Sequence, residues 1–196
     1  MRRILLLATT MLIAVLVIGG VAYALTFTCD GQGDPDPGGE CLGTETADDI
    51  TGTRGGDRIL ALQGDDTVDA RGASDLVIGN EGADTLHGRS GSDELYGESE
   101  IAESAGDDAL FGGSRGDLLI GRGGNNKYFG GSGPDEILAN ESGTGQTETV
   151  SAGPGNDRIL AEDGAADDID CGGGGVDQVD VGAGDTTSNC EITINP

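Results

Sequence analysis

Apolar and polar positions recur with a period of nine through most of this chain. Residues 79–96, GNEGADTLHGRSGSDELY, read G-x-x-G-x-D-x-L-x twice, with Asp84 above Asp93 and Leu86 above Leu95. Extending the frame both ways, with inserts at residues 97–102 and 139–142 and single extra residues further on, gives fourteen cells. Their eighth positions are Ile50, Ile59, Val68, Val77, Leu86, Leu95, Leu110, Leu119, Tyr128, Ile137, Val150, Ile159, Ile169 and Val179, all apolar in a chain that is only 35% hydrophobic. Their sixth positions are Asp48, Asp57, Asp66, Asp75, Asp84, Asp93, Asp108, Asp117, Asn126, Asp135, Glu148, Asp157, Asp167 and Asp177. Such self-similarity belongs to solenoids, in which each unit buries its apolar face only against its neighbours.

Each cell has one physical logic. Positions one to six are Gly-rich and end in Asp, which permits a tight turn whose backbone approaches a ligand closely. Positions seven to nine, such as Arg58-Ile59-Leu60, predict a three-residue strand with its middle side chain on one face. Two cells make one coil of eighteen residues, and stacked coils bury the eighth positions in a narrow column. The predicted fold is all-β: a parallel β-roll, a β-helix-like solenoid, over residues 43–180. Both inserts fall between cells in this frame and should loop out without shifting register. With 38 Gly, three Phe, three Tyr and no Trp, the chain has no means of building an ordinary globular core instead.

The cell at residues 130–138, GGSGPDEIL, fits the nonapeptide G-G-x-G-x-D-x-U-x completely, and several others miss one glycine. In this the chain resembles the hemolysin-type (RTX) calcium-binding proteins, over residues 43–180 or so. The resemblance implies a right-handed roll with Ca2+ held between turns of successive coils. Alternate cells lie on the same side, so two carboxylate rows are expected. One is Asp57, Asp75, Asp93, Asp117, Asp135, Asp157 and Asp177; the other is Asp48, Asp66, Asp84, Asp108, Asn126, Glu148 and Asp167. Calcium takes about six to eight oxygens, and the turns offer carboxylates plus carbonyls exposed by glycine. Asn126 has no charge and Glu148 is a methylene longer, so weak or vacant sites are expected at both. An affinity of about 10⁻⁴ to 10⁻³ M, usual for extracellular modules, is expected.

A calcium requirement also follows from energetics. An aliphatic column this thin is set against the ordering of a glycine-rich backbone, and dense carboxylates oppose compaction. Metal binding and folding are then one process.

Residues 1–24 differ in kind. Arg2 and Arg3 precede an apolar run at residues 4–18, and Ala22-Tyr23-Ala24 follows. This reads as a helical secretory signal peptide cleaved after Ala24; an uncleaved membrane anchor is the competing reading. The arginine pair suits a twin-Arg address. Cleavage would leave eight basic against 36 acidic residues, a net charge of −28. That excludes nucleic acid and anionic membrane surfaces as electrostatic partners. Residues 25–42 are Pro- and Gly-rich and read as a linker or N-terminal cap, and residues 181–196 as a C-terminal cap. Four cysteines allow three pairings; Cys29 with Cys41 and Cys171 with Cys190 each close a short loop at one end of the array. Asp34-Pro35-Asp36 imitates an EF-hand start but lacks its third acidic position and distal Glu.

Catalytic patterns are decoys here. The G-x-S-x-G at residues 112–116 falls inside a repeat turn, whereas a nucleophile elbow needs a strand-to-helix turn and a histidine. His87, the single histidine, occupies an outward strand position and reads as solvated. The expected function is therefore a secreted, extracellular calcium-binding module with a structural or surface role and no enzymatic activity. The alternative is an adhesin-like or self-assembling module. Ninth positions on the all-aspartate side form an outward apolar stripe of Leu60, Ile78, Tyr96, Ile120, Leu138 and Leu160; those on the other are Thr51, Asp69, His87, Phe111, Phe129 and Ser151.

Overall fold

Alternation of one buried and two flanking side chains, repeated every nine residues, produces two parallel sheets facing each other across the apolar column. The computed structural model describes residues 25–29, 39–99, 106–139, 146–162 and 164–194. The expected signal peptide, its cleavage point after Ala24, and Asp34-Pro35-Asp36 lie outside the described residues. Among the described residues there are two nine-stranded sheets and no helix. Strands alternate between the sheets along the chain, so each pairs with the strand two further on. The uninterrupted register is eighteen residues, as in Arg58↔Leu76 and Thr67↔Thr85. All fourteen eighth-position side chains are buried, none more than 1% exposed.

Several strands run longer than the three residues expected. Arg58–Gln63, Leu76–Glu81, Thr85–Ser90, Ala109–Ser114 and Lys127–Ser132 each continue into the next turn, because the turn backbones also pair between coils. Left-handed backbone recurs at the second and fourth turn positions, as at Gly131 (φ 108°) and Gly133 (φ 126°). Where glycine is missing the conformation persists: Leu62, Asn80 and Arg89 adopt φ of 88°, 78° and 77°. Imperfect cells therefore follow the same path, at about 1–2 kcal/mol of local strain for each such residue.

Two expectations are corrected. The inserts do not fall between cells. Gly97 occupies the first position of its turn, its N–H donating to the Ile120 carbonyl at 2.8 Å, and Ala139 does the same with Leu160 at 2.7 Å. The chain leaves each turn after its first positions and returns before the sixth, which keeps both strand registers: Glu94 pairs with Leu118, and Lys127 with Thr149. Residues 25–29 and 39–42 contribute the first strand of each sheet. Strand Leu25–Thr28 pairs with Asp48–Thr51 and Glu40–Leu42 with Arg58–Leu60, so Cys41 extends the apolar column beside Ile59. His87 is half-buried rather than solvated, stacked on Phe111, which stacks on Phe129, each with ring centroids 4.6 Å apart.

Disulfides close both ends in the local pairing, Cys29–Cys41 and Cys171–Cys190. At the C-terminal end Thr187 aligns with Ile169 and Thr193 with Val179, so the column finishes in polar side chains that tolerate water.

Candidate metal centre

The sixth-position side chains point inward at the turns, where carboxylates are normally excluded. Asp48, Asp57, Asp66, Asp75, Asp84, Asp93, Asp108, Asp117, Asn126, Asp135, Glu148, Asp157, Asp167 and Asp177 are all buried. They form the two expected rows, one before the strands of each sheet. Within a row, one carboxylate oxygen accepts the backbone N–H of the sixth-position residue one coil earlier. Asp57 donates to Asp75 Oδ1 at 2.7 Å, Asp75 to Asp93 at 2.8 Å, Asp93 to Asp117 at 2.8 Å and Asp117 to Asp135 at 2.9 Å. In the other row Asp48 donates to Asp66, Asp66 to Asp84 and Asp84 to Asp108, at 2.7, 2.8 and 2.8 Å. Stacking the coils thus uses one oxygen of each accepting carboxylate along the rows.

The second oxygen divides the rows. In Asp66, Asp75, Asp84, Asp93, Asp108, Asp117, Asp135, Asp157 and Asp177, Oδ2 is buried and meets no donor. An unmet buried acceptor costs about 1–3 kcal/mol, and more when charged. Burial pushes the carboxyls of Asp66, Asp75, Asp117 and Asp135 up to about 7, Asp84 to about 6 and Asp108 to about 8. Burial also raises Asp93, Asp157 and Asp177.

Asp48 and Asp57 stand apart. Thr44 N–H donates to Asp48 Oδ2 at 2.6 Å and Thr53 N–H to Asp57 Oδ2 at 2.6 Å, so the protein itself serves both oxygens. Asn126 is also satisfied internally: Oδ1 accepts the Asp108 N–H at 2.8 Å, and Nδ2 donates to the Gly123 carbonyl at 3.0 Å. Its second polar atom is a donor paired with a carbonyl, where the aspartates present an oxygen without a partner. Glu148 keeps the ladder, its N–H donating to Asp167 Oδ1 at 2.9 Å.

The turns offer room beside the unmet oxygens. A methyl group on Gly130 would lie 2.5 Å from both Asp135 Oδ2 and the Ala152 carbonyl oxygen, so glycine keeps that space open. Among the described residues no three acidic, His or Cys side chains converge on one point. Any ion would therefore draw a large share of its ligands from backbone carbonyls, a mixture that suits calcium, a hard cation satisfied by oxygen. Buried anionic oxygens, carbonyls and glycine-cleared space fit the ion that the repeat implies.

The profile of the RTX calcium-binding nonapeptide repeat matches four times, at residues 42–77, 69–100, 104–137 and 142–165, together more than half of the chain. The chain belongs to this family. No curated protein and no solved structure matches it. RTX repeats bind Ca2+, and the buried aspartates with their backbone hydrogen bonds fit turn-wise calcium sites.

Outside the RTX ladder, sequence reasoning passed over Glu98, whose carboxylate is 2% exposed and lies in the turn leading to Asp108. Burial pushes it up to about 7. Aligning Gly97 with Gly79 and Gly121, rather than assigning residues 97–102 to an insert, would have placed it in the turn. Ser114 ends the strand Ala109–Ser114, its hydroxyl donating to the Arg89 carbonyl at 3.3 Å, so the elbow-like motif has no strand-to-helix turn. The apolar stripe is in register across Leu60, Ile78, Tyr96, Ile120, Leu138 and Leu160. It is half-buried rather than open, and Ile120 is only 7% exposed.

Proposed function

We propose that this protein is a secreted structural module that folds on calcium, with ions held between successive turns along both edges of the roll. The observation that carries the reading is the repeated buried carboxylate oxygen without a donor at nine sixth positions. When bound, calcium supplies the positive charge those oxygens lack. The protein's own part is positional: one oxygen of each carboxylate locks neighbouring coils, and glycine keeps the approach to the other clear. Asp66, Asp75, Asp84, Asp93, Asp108, Asp117, Asp135, Asp157 and Asp177 are the first ligands on this reading, with Asp167 beside them. Asn126 is a metal-free step, Glu148 a weak one, and Asp48 and Asp57 hold together through Thr44 and Thr53. Circular dichroism of the purified protein during a calcium titration tests it. Little β signal in chelator and a cooperative gain in calcium are expected; full β structure in chelator would overturn the reading.

A second reading adds a contact surface. The stripe extends in register to Leu42, which is 55% exposed, and runs as far as Leu160; Asp180 follows in the same column and separates it from Ile194. Contiguous exposed apolar surface marks contact sites. Ile78→Asp, chosen because Ile120 is too buried to charge safely, should abolish any self-association while leaving calcium affinity unchanged; assembly that survives it would dismiss this surface.

A further inference from the structure

The carboxylate row that contains Asp108 is interrupted at one of its turns. Regular turns in this row run from Gly79 to Asp84 and from Gly121 to Asn126, six residues each. Between them the chain enters at Gly97 and returns at Gly106, eight residues after Glu98. Glu98 closes this opening. Its Oε1 accepts the Gly106 N–H at 2.8 Å, and its own N–H donates to the Gly121 carbonyl at 3.3 Å. The side chain is 2% exposed; the backbone N–H groups of Gly123 and of Glu98 itself also favour its charged form, but Oε2 completes a hydrogen bond with neither. Asp84 Oδ2 and Asp108 Oδ2 are unmet in the same region, and Glu98 lies within electrostatic reach of both carboxylates.

Closing the opening would need only an acceptor for Gly106, which an amide oxygen provides equally well. A carboxylate leaves a second anionic oxygen buried, at a cost that a latch has no use for. The row is also poorest in charge here, because the next coil carries Asn126 in place of Asp and turns its amide toward Gly123.

We propose that Glu98 is a calcium ligand, sharing with Asp108 an ion at the interrupted turn. The insert thereby carries its own carboxylate into the ladder, one that no nine-residue cell encodes. Glu98 then adds its charge to that of Asp108 at one step, with backbone carbonyls completing the oxygen set. This inference rests on the calcium reading above and deepens it.

The test compares the purified wild-type protein with Glu98→Gln and, as a control, Glu94→Gln on an exposed strand position, by calorimetric calcium titration and dialysis stoichiometry. Glu98→Gln keeps the acceptor for Gly106 but not the charge. It is expected to bind one ion fewer, or to weaken one class of sites at least tenfold, with the metal-free unfolding midpoint, read in chelator with sucrose to populate the folded state, unchanged or raised. Glu94→Gln should match wild type. Equal stoichiometry and affinity in Glu98→Gln and wild type would overturn the proposal and leave Glu98 a latch. Absence of calcium binding by wild type would instead remove the broader reading. Should Glu98→Gln fail to gain β signal in calcium, Glu98→Asp decides, since it restores the charge. Recovery of the ion with the β signal supports ligation, and no recovery overturns it.

Discussion

Asp135→Asn should stabilise the metal-free protein and destabilise the calcium-loaded one. Asp135 Oδ1 accepts the Asp117 N–H at 2.9 Å, a bond that an amide oxygen keeps. Its Oδ2 is buried without a donor, and burial, with the charges of Asp117 and Asp157 adding, pushes the carboxyl up to about 7. Asn126 shows what the amide does at an equivalent position: its nitrogen donates to a turn carbonyl at 3.0 Å. The substitution therefore removes an unmet buried acceptor and stabilises the metal-free fold by about 1–3 kcal/mol. In calcium the sign reverses. An ion bound only by the folded state contributes about 2.7 kcal/mol at a hundredfold excess over Kd. Asp135 stands between Asp117 and Asp157 in its row, so one or two ions depend on it, for a loss of about 3–5 kcal/mol. Thermal unfolding followed by circular dichroism reads both, with sucrose in the chelator arm to populate the folded state. Each kcal/mol moves the midpoint by about 2–4 °C in a chain of this size. Midpoints that shift in the same direction in chelator and in calcium would refute the reasoning.

Proton competition follows from the same oxygens. Raised above the ordinary 3.8, the carboxyls of Asp66, Asp75, Asp117 and Asp135 at about 7 and Asp108 at about 8 hold protons more tightly folded than unfolded. Their contribution to metal-free stability is complete below about pH 4 and is lost as pH rises through 7 to 8; a chelated sample should gain β signal on acidification, and a signal independent of pH would contradict this. Calcium affinity should rise over the same interval, as titrations at stepped pH would record. Tyr128→Phe leaves the Gly121 N–H, now donating to the phenolic oxygen at 3.1 Å, without that acceptor in a buried site. About 1–3 kcal/mol of stability should be lost with the calcium count unchanged, measurable by urea unfolding beside dialysis.

Much of this architecture was legible in the chain because a solenoid repeats one local decision. An aliphatic residue two places after an acidic one, every nine residues, dictates both the column and the carboxylate rows, and the observed eighteen-residue register follows from that period alone. Tyr128 read correctly as a column residue, yet its hydroxyl's reach to Gly121 depends on atoms seven residues away. Asn126 was legible as a break in charge, because composition shows it directly. What the residue string left open was how each second carboxylate oxygen is met. Thr44 and Thr53 serve Asp48 and Asp57 through backbone N–H groups, a matter of turn geometry rather than residue type. Glu98 was invisible for a related reason: a period of nine discards any residue outside its frame, and only the folded turn returns that carboxylate to the interior beside Gly106. Periodicity specifies which side chains share a face, since strand and turn repeat locally; burial and the first oxygen of each carboxylate depend on a neighbour a full coil away, and the second on the path of its own folded turn, so only the tertiary structure decided which carboxylates keep an unmet oxygen.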